Sequence, residues 1–210
     1  MGLIKILAWL FGLGVVIVVL ETLLYDFRQV DPTERPQPDL VSAAGSTNRY
    51  DDLFRKYTRT QFGRMPWQWF KAQALQESRL LPRAQSPVGA MGLMQVMPAT
   101  FQEIRGEIGL PNRPYDPEVN IQAGIYYDMK CYRFWTEDRT LRERLRLMFA
   151  SYNAGPGNIF KAQKVVRTRR LCSGVEWDCI KQGLPSVTGK HSEETIQYVD
   201  RIEGFYEVLN

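Results

Sequence analysis

Glu77-Ser78-Arg79-Leu80-Leu81-Pro82-Arg83-Ala84-Gln85-Ser86-Pro87-Val88-Gly89-Ala90-Met91-Gly92-Leu93-Met94-Gln95-Val96-Met97-Pro98-Ala99-Thr100 is the stretch on which the rest of the chain turns. A carboxylate closes a helical pattern, a Pro/Gly turn region follows, and a short apolar run carrying one amide leads into a helix begun by proline. Upstream, Met65-Pro66 opens a helix, since proline is tolerated at the first helical position. In it Trp67, Phe70, Ala74 and Glu77 follow one another at intervals of three, four and three. That spacing puts Glu77 on the apolar stripe. Pro82 sets the helix end near Ser78 to Leu80.

A carboxyl on such a stripe has a definite chemistry. Apolar neighbours disfavour the ionised form, and the negative end of the helix dipole acts the same way. Both keep Glu77 protonated near neutral pH, as a general acid must be. Downstream, Ser86-Pro87-Val88-Gly89 should turn, and Gly92 to Val96 is short enough for a strand. Gln95 is a polar residue inside this run; a buried amide needs partners, which a substrate hydroxyl or the Glu77 carboxyl can supply. Met94 and Met97 read as core filling. Pro98 starts a helix through Phe101 and Ile104, closed near Gly106.

The other segments read as helices around this one. Tyr50 to Tyr57 carries Leu53, Phe54 and Tyr57 on one side. Asp116-Pro117 looks like an N-cap and first helical residue of a helix to about Trp135, with Ile121, Ile125, Met129 and Tyr132 on one face. Gly124 costs that helix about 1 kcal/mol relative to alanine, which points to close helix packing there. Leu141 to Tyr152 is stopped by Gly155-Pro156-Gly157, leaving the polar pair Tyr152 and Asn153 beside a tight turn, able either to cap it or to bond a sugar. Ile159 to Val166 continues as helix. The last helix runs from about Glu193 to Leu209 with Ile196, Val199, Ile202 and Tyr206 inward. Glu194 lies in its first turn, where the dipole favours an anion, so it is expected ionised where Glu77 is not.

The ends and the composition set the boundaries. Leu3 to Leu24 has no charge between Ile6 and Leu20, about the 20 apolar residues that span a bilayer. Lys5 and the amino terminus favour a cytoplasmic start. A cleaved signal peptide competes, but no small-x-small site follows the run closely. The expectation is therefore a single-pass inner-membrane anchor over 1–27, a Pro- and Ser-containing tether over 28–47, and a globular domain over 48–210 facing the periplasm. A net charge of +4 is read as an ordinary solvated surface. The cluster Arg167-Thr168-Arg169-Arg170 lacks interleaved aromatics, so no nucleic acid is expected. Three cysteines, Cys131, Cys172 and Cys179, with His191 the lone histidine, fit neither a zinc pattern nor a nucleophile elbow, so no metal and no cofactor is expected. Cys172 and Cys179 enclose a short loop and can pair outside the cytoplasm, although three pairings are open.

The quoted stretch resembles the signature of the family-one lytic transglycosylases of the soluble type. It offers Glu77-Ser78, Pro82-x-Ala84-x-Ser86, and Gly89-Ala90-x-Gly92-Leu93-Met94-Gln95-Val96-Met97-Pro98 with Thr100. Asn120, Gly124 and Tyr126 resemble the family's next block, Ala150-Ser151-Tyr152-Asn153-Ala154-Gly155-Pro156-Gly157 the third, and Glu194-Thr195 with Tyr198-Val199 the last. Leu80 and Leu81 depart from the family's usual aromatic and Asn, no proline precedes the last Glu, and Glu193 competes with Glu194 for that place. The Cys172–Cys179 segment looks like an insertion. The resemblance implies a mainly α, lysozyme-like domain with a small strand/turn segment around 86–97. It also implies cleavage of the β-1,4 bond between MurNAc and GlcNAc in peptidoglycan glycan strands, leaving a 1,6-anhydro-MurNAc end. Glu77 would be the single acid, then base; Ser86 and Gln95 would orient it or the substrate, and Met97, Tyr152, Asn153 and Glu194 would line the cleft.

Overall fold

The computed structural model describes residues 48–210; the expected anchor (1–27) and tether (28–47) lie outside them. Among the described residues no helix is long and apolar enough to cross a membrane. Nine α-helices appear there in order: α1 Asp51–Phe62, α2 Gln68–Ser78, α3 Pro98–Ile108, α4 Pro117–Phe134, α5 Leu141–Ala154, α6 Pro156–Thr168, α7 Trp177–Ile180, α8 Pro185–Thr188 and α9 Ser192–Leu209. Two 3₁₀ turns, Lys181–Gly183 and Gly189–His191, flank α8.

The helix starts follow local chemistry. Asp116 caps α4 by accepting from the Val119 amide, with Pro117 behind it, and Thr140 caps α5 by accepting from the Glu143 amide. α3 runs past Gly106 to Ile108, because the residue that adopts the left-handed conformation needed to end it is Gly109 (φ 70°). The strand expected within Gly92 to Val96 does not form. Among the described residues the segment is a series of turns with two isolated antiparallel bridges, Gln85 with Met91 and Met91 with Val96. Positive φ at Gly89, Gly92 and Gln95 bends the chain too often for a ladder to propagate.

The core is built where α2 lies between α9 and the turn segment. Phe54, Phe70, Leu93, Met94, Phe101, Ile125 and Phe149 are fully buried in one apolar cluster. Trp69 of α2 stacks on Tyr206 of α9 with ring centres 3.5 Å apart. α5 is held to α9 by Arg146, whose Nε and Nη2 each lie 2.9 Å from a different oxygen of Glu203. Burial pushes the Glu203 carboxyl up, but the guanidiniums of Arg146 and Arg142 outweigh it and hold it below the usual carboxylate range. A depressed carboxylate stabilises the fold above its unfolded value, about 4.3, and loses that contribution as pH falls through the lower folded value. Arg146→Met should therefore cost about 2 kcal/mol at pH 7 and clearly less at pH 3, as read by urea unfolding at the two pH values.

Cys172 and Cys179 are joined in a disulfide, and Cys131 is free and buried. The bridge closes a short loop before α7, whose Trp177 and Ile180 are buried. Cys172→Ser with Cys179→Ser should lower stability by about 2 kcal/mol, from the denatured-state freedom restored to so short a loop; calorimetry of the oxidised parent and the double variant measures it. Arg167, the start of the basic cluster, is spent on the protein itself, in a salt bridge to Glu137 and on the carbonyls of Ser173 and Gly174.

Candidate active site

Glu77 sits one residue before the end of α2, where the chain turns out through two left-handed residues, Arg79 (φ 53°) and Leu80 (φ 59°). Its neighbour Ser78 is an anchor: the hydroxyl donates to the Leu93 carbonyl at 2.8 Å, tying the turn segment to the helix that carries the acid. Asn120 of α4 clamps the same segment with two bonds and ties it to Pro114 with a third. Its Oδ1 accepts from the Met94 amide at 2.7 Å, and its Nδ2 donates to the carbonyls of Met91 at 2.9 Å and Pro114 at 2.8 Å. Gly124, one turn along, lets the segment approach: a Cβ there would fall 2.5 Å from Cβ of Met94. The partner that this glycine admits is thus the turn segment, not another helix.

The Glu77 carboxyl is half-buried. Its Oε1 accepts a 2.5 Å hydrogen bond from the Tyr198 hydroxyl of α9. The second oxygen, Oε2, has no hydrogen bond among the described residues and stays open to solvent. Burial is the main effect on its acidity, Tyr198 partly opposes it, and the negative charge of Glu194 adds to it; the carboxyl is pushed up to about 8. Burial likewise pushes the phenols of Tyr152 and Tyr198 well above their ordinary value, with Glu77 beside both. Near neutral pH the centre holds a protonated acid among neutral phenols, with one oxygen free to meet a ligand.

The other candidate residues take distinct places. The Ser86 hydroxyl accepts from the Ala90 amide at 3.0 Å and pins the turn. Gln95, at a positive φ of 45°, donates its amide to the carbonyls of Gly92 at 2.8 Å and Ala84 at 3.2 Å. Met97 projects from the surface, 42% exposed. The Tyr152 hydroxyl donates to the Met94 carbonyl at 2.7 Å. Asn153 and Glu194 share an open cleft of about 390 Å³ with Thr188, His191 and Thr195, and Thr195 donates to Asn153 Oδ1 at 2.8 Å. Glu77 lies outside that cleft's lining but feels the charge of Glu194. The cleft is lined from α5, α6, α8 and α9 and the turn before α9, and Glu194 links it electrostatically to the acid of α2.

Sequence reasoning missed three residues here: Tyr198 as the partner of Glu77, Gln73 and Asp128. Each had a signal. Gln73 precedes Glu77 by four residues on the same helical stripe, Tyr198 follows Glu194 by four, and Asp128 extends the buried face of Ile121 and Ile125.

The fold is similar to those of solved lytic transglycosylases. The 70 kDa soluble lytic transglycosylase SLT70 from Escherichia coli superposes with a TM-score of 0.59 at 28% identity, over 76% of this chain and 24% of that one. An inactive Glu-to-Gln mutant of lytic transglycosylase Slt from Pseudomonas aeruginosa gives 0.60 at 26%, over 75% and 23%. The helical domain has their lysozyme-like fold. Residues 53–170 match the family model described as Transglycosylase SLT domain, and the chain belongs to that family. A curated relative, the membrane-bound lytic murein transglycosylase F of Desulfosudis oleivorans, is 31% identical over 154 residues, covering 68% of this chain and 33% of its own length. The chain thus spans about a third of that relative.

Proposed function

We propose that this domain is a peptidoglycan lytic transglycosylase. It cleaves the MurNAc-β-1,4-GlcNAc bond without consuming water and leaves a 1,6-anhydro-MurNAc end. Glu77 protonates the glycosidic oxygen from Oε2, then as carboxylate takes the proton of the sugar's own 6-hydroxyl, which closes the anhydro ring. The observation that carries this reading is the state of the Glu77 carboxyl: half-buried, held protonated, bonded at one oxygen by Tyr198 and open at the other. A conventional glycosidase needs a second carboxyl across the scissile bond. Of the two carboxyls that act on Glu77, Asp128 is fully buried, away from any sugar, and Glu194 is exposed on the wall of the cleft. Substrate-assisted chemistry with one acid fits that layout.

In this reading Ser86 and Gln95 hold the wall of the groove opposite Glu77, while Met97, Tyr152, Asn153 and Glu194 line it against the glycan strand. The names of the relatives, lytic murein transglycosylases, support the substrate. The charge-free N-terminal run supports an inner-membrane anchor with the domain in the periplasm, where a Cys172–Cys179 bridge persists. Digestion of purified murein sacculi, with the released muropeptides weighed by mass spectrometry, tests the chemistry. Anhydro ends, one water lighter, are expected; reducing ends would assign a hydrolytic muramidase, and no release a wall-binding protein.

A further inference from the structure

Beneath Glu77 lies a second carboxyl for which the reaction has no use. Asp128 of α4 is fully buried, and so is Gln73 of α2. The Gln73 amide nitrogen donates to Asp128 Oδ1 and to the Tyr198 oxygen, each at 3.2 Å, and Tyr198 in turn donates to Glu77. Two acceptors in this cluster are stranded: Gln73 Oε1 and Asp128 Oδ2 are buried with no hydrogen-bond partner among the described residues. Leaving such atoms unpaired costs about 1–3 kcal/mol each. Both acceptors belong to the two groups already joined by the Nε2–Oδ1 bond. A proton on Oδ2 makes it a donor, and an acid–amide ring with Gln73 then satisfies both atoms at once.

We propose that Asp128 is an uncharged carboxylic acid closed on the Gln73 amide, and that this pair is a positioning device that makes Tyr198 a donor to Glu77. The proposal rests on the reading of Glu77 given above. Its logic is directional. With the Gln73 nitrogen turned to Tyr198, the phenol oxygen is occupied as an acceptor and its own proton goes to Glu77 Oε1. The transferable proton of Glu77 is then left on Oε2, the oxygen open to ligand. With the amide reversed, Tyr198 would give its proton to Gln73, and Glu77 would turn its proton inward. The titratable groups around Asp128 agree with a neutral acid. Glu77 and Tyr198 stand above it, Tyr152 comes from α5, Tyr127 and Cys131 lie on its own helix, and none is a cation. Burial first, then the charge of Glu77, push its carboxyl well above the usual range, against the bond from Gln73.

The test uses the full chain in detergent micelles. Infrared difference spectra of the parent minus Asp128→Asn at pH 7 should contain a protonated-carboxyl band; its absence overturns the proposal. Asparagine offers the same acceptor and donor as the neutral acid, whereas leucine offers neither. On sacculi, Asp128→Leu should lower kcat about tenfold or more with little change in KM. Its alkaline limb should move to higher pH, because Glu77 loses the Tyr198 bond that lowers its pKa. Asp128→Asn should restore both. Gln73→Met, which removes the amide but leaves the acid, should repeat the leucine phenotype and serves if that variant does not fold. An asparagine variant as impaired as leucine, or folded leucine and methionine variants with parental kcat and limb, would overturn the role. Failure of the Glu77 reading would show separately, as activity retained in Glu77→Gln while the infrared band persists.

Discussion

Glu77→Gln should abolish murein cleavage, by about 100- to 10,000-fold in turnover, the range that a positioned general acid contributes. Glutamine keeps the volume and can still accept from Tyr198, so the loss isolates the proton. The same substitution should make the domain more stable, with a definite pH sign. A carboxyl whose folded pKa is raised, here from 4.5 to about 8, holds a proton in the folded state that the unfolded chain has released. Stability therefore falls as pH climbs from about 4.5 to 8. The variant escapes that penalty. Because the carboxyl keeps contact with solvent, the gain is expected at about 1–3 kcal/mol at pH 8, roughly a few degrees of Tm, shrinking to nothing near pH 4. Muropeptide release and thermal melts at pH 4, 6 and 8 read the two effects side by side. An unchanged Tm difference across that range would mean that Glu77 titrates normally. The trade of stability for a poised acid is the familiar one at active sites.

Asn120→Ala is the second large expectation. The side chain is fully buried and makes three bonds to backbone groups of the 91–94 turns and of Pro114. Alanine strands the Met94 amide and the Pro114 carbonyl, leaves the Met91 carbonyl with the Val96 amide alone, and opens a void, at about 3–5 kcal/mol in sum. Because the turn segment is bonded to Ser78, next to Glu77, the effect should reach the acid's surroundings before global unfolding. Amide hydrogen exchange of Leu93 to Val96 should accelerate at denaturant concentrations where α2 and α9 remain protected. Loss of activity with a normal melt would also fit this local opening. Parental stability together with parental exchange would refute the clamp.

The helices were legible because their signals are local. Proline at N1, Asp116 and Thr140 as caps, and apolar intervals of three and four each act within a turn or two. The turn segment misled for an equally physical reason. Gly92 to Val96 has the apolar content of a strand, but whether it extends is decided by Asn120 and Ser78, which come from other helices and tie its backbone into turns. Glu77 was legible from its own stripe. Tyr198, Gln73 and Asp128 were not assigned, since a polar residue on an inward face reads as an isolated exception until its partner from another helix is known. Tyr198 is separated from Glu77 by 121 positions, and no interval in the sequence announces that bond.

That separation bears on how much of the chain the acid needs around it. The acid stands in α2, and the phenol that bonds it comes from α9, beyond residues 53–170 that match the family model. A fragment cut to the bounds of that match would thus keep Glu77 and lose the phenol bonded to it.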